Sequence, residues 1–290
     1  MAGRHAQPRD SPLLGRLTSL PGDNSQYYQG EGARWYSAVN AWKTDDLPFY
    51  QSQAERWAGP SGSVLELACG NGRVALPLAR AGFRVTAIDS SEPMLSQLQE
   101  HLESEPEAVR KRVEPMQQDM QRFNLDRIFR FIYLPFNTML LLTQPHERQS
   151  LLDRVREHLA PSGAFAFDIF TPDPTKLRDD GDWTVDLDFD VDDPEGEGRV
   201  HVLRECLRKV DFGGQVMRLR FRYRISREDV ELALWEDGLD LAYIFPRELE
   251  LILERQGFRI KDRFGGADGV AYEPAPGNIQ QQFVVAQLIP

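Results

Sequence analysis

The stretch Val64-Leu65-Glu66-Leu67-Ala68-Cys69-Gly70-Asn71-Gly72-Arg73 limits the folds open to this chain more than any other feature. The apolar run Val64 to Leu67 reads as a short buried strand, and Gly70-Asn71-Gly72 then forces a tight turn. Val74 to Arg80 starts a helix, which Ala81-Gly82 closes in the position where glycine commonly ends helices. Strand, glycine turn and helix form the opening unit of a nucleotide-type α/β fold. Glycines let the backbone approach a ligand closely, and the new helix points unpaired N–H groups at it.

Phe83 to Asp89 reads as a second strand that ends in an acid. An acid there is placed to accept hydrogen bonds from two ribose hydroxyls, an arrangement used with NAD and with S-adenosylmethionine (SAM). Gly70-Asn71-Gly72-Arg73-Val74-Ala75 also satisfies the loose dinucleotide fingerprint G-x-G-x-x-A, so the glycines do not choose between these ligands.

Three motifs do choose. Glu66-x-Ala68-x-Gly70-x-Gly72, Asp89-Ser90-Ser91-Glu92-Pro93-Met94-Leu95 and Gln118-Asp119-Met120 occur in that order. Together they resemble the class I SAM-dependent methyltransferases, with Ala68 standing at that family's first glycine. The resemblance covers roughly residues 27 to 289. It implies a Rossmann-like, mostly parallel seven-stranded sheet with helices on both faces and an antiparallel last strand, plus a small antiparallel β insertion. It also implies SAM as cofactor, held by Glu66, Ala68, Gly70, Gly72, Asp89, Ser90, Met94, Asp119, Met120 and Leu134. Tyr28 and Tyr36 would reach the methionine end with their hydroxyls.

Composition narrows the partners. A net charge of −11 over 290 residues argues against a sequence-independent grip on nucleic acid, which needs Lys and Arg along one face. Cys69 and Cys206 give neither a disulfide framework nor metal-ligand spacing, so a reducing cytoplasm and no metal are expected. No apolar run approaches the roughly 20 residues needed to span a bilayer, and the start lacks a signal-peptide core.

Residues 1–25, rich in Pro, Gly, Ser and Arg, read as a mobile tail. The core with its helical cover is expected over 26–170, the insertion over 171–243, and the end of the sheet over 244–290. Tyr27, Tyr28, Trp35, Tyr36, Trp42, Phe49 and Tyr50 put seven aromatics in 24 residues, either packing helices on the sheet or lining the site. Met94 to Arg110 reads as one amphipathic helix.

Strand four, Phe129 to Leu134, is followed by Pro135-Phe136-Asn137, similar to the Pro-Phe-Asn of small-molecule members. Phe136 and Asn137 are therefore candidates for substrate contact, although Asn137 equally suits a cap for a helix over Met139–Leu142. Arg130 stands where the family commonly has Asp, and no Asn-Pro-Pro-Tyr motif follows. His158 reads as structural and His146 as a loop residue with a catalytic alternative.

After strand five, Ala164 to Phe170, an acidic run leads into a hairpin around Asp211-Phe212-Gly213-Gly214. A third strand, Val230 to Tyr243, is expected to carry a turn at Glu236-Asp237-Gly238, and Tyr243 is a substrate candidate. The resemblance implies that such an insertion serves as a lid or as a homodimer contact. Arg218, Arg220, Arg222 and Arg224 share one face and are expected to pair with acids across strands. The helix Pro246–Arg255 and the strands Phe258–Arg263 and Gln282–Leu288 close the sheet.

The expected activity is methyl transfer to N or O of a small molecule. Alternatives are an NAD-dependent oxidoreductase and a non-catalytic SAM-binding scaffold. No residue stands out as a general base.

Overall fold

The computed structural model describes residue 24 and residues 28–193, 196, 198–228, 230–273 and 281–290. The expected tail and Tyr27 therefore lie outside the described residues, Asn24 excepted. Asn24 is anchored: its amide donates to the carbonyls of Leu141 and Asp240, and its oxygen accepts from the Asp240 N–H.

The helical cover consists of α1 (Gly30–Arg34), α2 (Tyr36–Val39) and α3 (Leu47–Ala58). The core follows as β1 (Ser63–Leu67), α4 (Ala75–Arg80), β2 (Arg84–Asp89), α5 (Glu92–Glu103), α6 (Glu107–Arg110), β3 (Val113–Gln117) and β4 (Phe129–Leu134). A 3-10 turn (Thr138–Leu141), α7 (Pro145–His158) and β5 (Leu159–Phe170) complete its first part. The inserted strands are β6 (Thr184–Asp192), β7 (Arg199–Asp211), β8 (Val216–Arg227) and β9 (Val230–Ala242), and α8 (Pro246–Arg255), β10 (Phe258–Phe264) and β11 (Gln281–Leu288) return to the core.

The core sheet has the order β10-β11-β5-β4-β1-β2-β3. Its strands run parallel except that β11 is antiparallel to both β5 and β10. Strands buried on both faces are apolar at most positions, which is why β1 (Ser63 and Glu66 apart) and β4 (Arg130 apart) read as nearly continuous runs. Alternation then divides them. Leu65, Leu67, Ile132 and Phe165 pack with Leu151 of α7 and Leu249 of α8, whereas Val64, Val85, Phe131 and Ala164 pack with Tyr50 of α3, Leu78 of α4 and Leu98 of α5.

Four expectations are corrected. The helix expected over Met94–Arg110 breaks between α5 and α6 at Ser104-Glu105-Pro106, where proline has no N–H to continue the ladder. The acidic run is strand β6, whose Leu187, Phe189 and Val191 join an apolar cluster while the aspartates between them face away. That period-two signal was present in the sequence. β9 passes straight through Glu236-Asp237-Gly238 without a turn, and Gly238 makes room for Arg220: a Cβ there would stand 2.8 Å from its Nη1. The expected helix after β4 is the 3-10 turn.

The arginine row pairs across strands as expected: Arg218 and Arg220 with Asp240, Arg222 with Glu205 and Glu236, and Arg224 with Glu231. The opposite face of the inserted sheet packs Val202, Phe221 and Ile225 against Trp35, Ala38 and Val39 of the cover.

Candidate active site

Parallel strands deliver their carboxyl ends to one edge, and the turns that follow β1, β2, β3 and β4 meet there. In the glycine turn Ala68, Gly70 and Gly72 have φ of +53°, +54° and +87°. At Gly72 a Cβ would also come within 2.4 Å of Leu98 Cδ1, so this glycine lets α5 pack against the turn. Ala68 holds the same left-handed conformation with a side chain, at a cost on the order of 1 kcal/mol. Ala68→Gly is therefore expected to stabilise the protein by about 0.5 kcal/mol after the greater entropy of the unfolded glycine is offset. Denaturant melts that show a loss of stability would refute this.

Asp89, at the tip of β2, holds the turn as well as facing the cavity. Its Oδ2 accepts from the Gly70 N–H (2.8 Å) and its Oδ1 from the Ser91 N–H (2.8 Å), while burial raises its pKa. Ser91 caps α5 by accepting from the Met94 N–H, and its hydroxyl donates to the Tyr28 carbonyl (2.9 Å). Glu66 is 1% exposed. Burial pushes its carboxyl up to about 8, against the lowering effect of the Tyr133 hydroxyl, which donates to Oε2 at 2.9 Å.

These groups border a cavity of about 440 Å³. Glu66, Ala68, Gly70, Asp89, Ser90, Met94, Asp119 and Met120 form one part of its wall, and Tyr28, Tyr36 and Phe136 another. Four of the expected residues are elsewhere. Leu134 is fully buried beside Leu65 and Ile132, because β4 alternates and this position faces the core. Gly72 packs under α5. Asn137 turns its side chain to Gln281, whose Nε2 donates to Oδ1 (3.2 Å), and with φ +58° it makes no side-chain cap. Tyr243, 3% exposed, packs with Leu177, Met217 and Phe245 at the root of the insertion. His158 is structural: the Leu125 N–H donates to its Nε2 (2.8 Å). His146 is exposed and does not line the cavity.

Sequence reading missed Arg73, Asp46, Asp168 and Glu147, and gave Tyr50 only as one of seven aromatics. Arg73 lies against the Phe136 ring (5.1 Å) and makes a two-pronged pair with Asp46 at 2.6 and 2.8 Å. Asp46 is completely buried, and the pair ties the helical cover to the glycine turn. A partner 27 residues away leaves no local sequence signal. Among the described residues Arg73 is the one basic side chain on the cavity wall, and Asp46 neutralises it. Glu66, Asp89, Asp119 and Glu147 face the same space.

A close-approach glycine turn, an acid at the tip of β2, a second after β3 and an acid-rich cavity fit a cationic nucleoside such as SAM. Fold and cavity are similar to those of the Rossmann-like SAM-dependent methyltransferases. Residues 64–163 match the family described as "Methyltransferase domain".

The chain is 34% identical over 110 residues to the cypemycin N-terminal methyltransferase of a Streptomyces species, a match covering 38% of this chain and 42% of that protein. It spans about half the length of the curated relatives it matches. Among solved structures, the CcbJ methyltransferase of Streptomyces caelestis superposes with a TM-score of 0.69 at 22% identity, covering 85% of this chain and 91% of that one. The glycopeptide N-methyltransferase MtfA, solved with SAM, superposes at 0.54 with 26% identity, covering 86% and 96%.

Proposed function

We propose that the protein methylates an amine nitrogen of a small molecule, with SAM as the donor. One observation carries this reading: a cavity walled by four carboxyl side chains, Glu66, Asp89, Asp119 and Glu147, whose one arginine is already neutralised by Asp46, a lining that suits a cationic cofactor and an amine. The names of two similar proteins, a cypemycin N-terminal methyltransferase and a glycopeptide N-methyltransferase, support nitrogen over oxygen. The antiparallel β10–β11 pair is what an ordinary dinucleotide domain lacks, which weighs against the NAD alternative.

In this reading Asp89 accepts from the ribose hydroxyls, Asp119 takes the adenine amino group, Met94 and Met120 flank the base, and Glu66 faces the methionine half. SAM supplies a methyl group on a sulfonium, which is already a good leaving group. The chain's task is therefore alignment, which can contribute on the order of 7 kcal/mol. Tyr28, Tyr36 and Phe136 would frame the acceptor. Burial pushes the Tyr36 hydroxyl up to about 12, so it stays protonated near neutral pH and serves as a hydrogen-bonding group rather than a base. The acceptor must arrive as the free amine.

The inserted sheet serves as a lid in this reading, supported by Asn24, which joins β9 to the 3-10 turn at the cavity wall. Its edge strand β9 exposes Val230, Leu232 and Leu234, which supports a homodimer through the insertion, tested by light scattering. Two free thiols support a reducing, cytoplasmic location. Among the described residues no helix is long and apolar enough to cross a membrane.

Calorimetric titration with SAM and with NAD, followed by S-adenosylhomocysteine release over panels of amines, phenols and carboxylic acids, tests the whole. Binding of NAD alone rejects it. Turnover of phenols but not amines rejects the choice of nitrogen.

A further inference from the structure

Asp168, near the carboxyl end of β5, is 0% exposed, and among the described residues its side-chain hydrogen-bond partners are all donors. Its Oδ1 accepts from the Tyr50 hydroxyl (2.5 Å) and the Phe136 N–H (2.7 Å), and its Oδ2 from the Asn137 N–H (3.2 Å) and Gln281 Nε2 (2.5 Å). These donors come from α3, the loop after β4, and β11. Four donors converging on two oxygens match a carboxylate. An amide at the same place would turn an NH₂ against at least one of them.

The loop it holds is strained. Phe136 and Asn137 have φ of +66° and +58° in succession, a left-handed conformation that costs Phe136 about 1–2 kcal/mol and that asparagine adopts more readily. Two successive N–H groups turned to one side make an anion-binding concavity, and the buried carboxylate fills it. The strain has a product: the Phe136 ring reaches the cavity wall, with the Arg73 guanidinium 5.1 Å from its centre and Trp42 edge-on at 6.4 Å.

We propose that Asp168 is a positioning residue: through the paired N–H groups of Phe136 and Asn137 it sets where the Phe136 ring stands in the acceptor part of the cavity. The acceptor's part in this rests on the methyltransferase reading above. Asp168 itself does not line the cavity, so it acts on the acceptor only through that ring.

The test uses the full chain carrying 4-fluorophenylalanine at position 136, or at Phe258 as a control buried in the other core cluster. Fluorine NMR spectra are compared between wild type and Asp168→Asn, with S-adenosylhomocysteine affinity measured on both. The expected result is a shifted and broadened resonance at 136, an unmoved one at 258, and a ligand Kd within threefold of wild type. An unmoved resonance at 136, or equal displacement at both positions, overturns the proposal. If Asp168→Asn does not fold, Tyr50→Phe, which removes a single donor from Oδ1, carries the test. A smaller displacement at 136 alone is then expected, and none overturns it. Failure of the wild type to bind S-adenosylhomocysteine would instead overturn the methyltransferase reading, and the ring's response is read without ligand.

Discussion

Asp89→Ala is expected to weaken S-adenosylhomocysteine binding by at least a hundredfold in calorimetric titration. Two ribose hydroxyls donating to one carboxylate are hydrogen bonds to a charged acceptor, each contributing about 1.5–3 kcal/mol. Their sum, about 3–6 kcal/mol, exceeds the roughly 2.7 kcal/mol that corresponds to a hundredfold change. A second loss reinforces the first. Asp89 also holds the Gly70 and Ser91 N–H groups, so its removal frees the turn that the ligand must approach. Near-UV circular dichroism separates a folded but non-binding variant from an unfolded one. A folded Asp89→Ala protein that binds within threefold of wild type would refute the site.

The second large effect is a pH dependence of SAM binding set by Glu66. Burial raises its carboxyl to about 8 in the cofactor-free protein, so at pH 6 only about one molecule in a hundred carries the charge that a cationic ligand favours. Apparent affinity scales with that fraction and should rise about fiftyfold from pH 6 to pH 8. Binding at pH 7 should release close to one proton, visible as a dependence of the titration enthalpy on the buffer. Glu66→Gln should remove the slope, and the difference from wild type isolates this side chain from the ligand's own amino group.

Linkage gives the opposite sign for stability without ligand. The unfolded chain ionises Glu66 above its ordinary value near 4.5, while the folded chain keeps the proton until about 8. The folded state binds more protons across that window, so this group's contribution is full below it and lost as pH rises through it. Melting temperatures compared between wild type and Glu66→Gln from pH 5 to pH 8 should show that decline only with Glu66 present. Affinity independent of pH in the wild type would remove Glu66 from the site.

The elements that could be read without coordinates are those whose cause is local. An apolar run, glycines at positive φ and an acid at a strand tip occupy a few consecutive residues, and they located β1, β2 and most of the cavity wall from Glu66 to Met120. Period-two alternation exposed the hairpin β7–β8. The Leu187-Phe189-Val191 series between aspartates carries the same signal for β6.

The rest depends on partners far apart in the chain. Whether Leu134 in β4 and Tyr243 just after β9 face a cavity or a core is decided by what packs around them, and both proved buried. That Arg73 is neutralised by Asp46, and that Asp168 gathers Tyr50, Phe136, Asn137 and Gln281, depends on burial. A desolvated charge must find its hydrogen-bonding partners wherever the fold brings them, and sequence distance carries no record of which ones. The sequence by itself determined a nucleotide-type sheet and the edge at which its strand-end motifs meet. Only the tertiary structure decided which side chains stand at the far wall of the cavity and what holds them there, because buried polar pairing is a property of the assembled layers and not of any one segment.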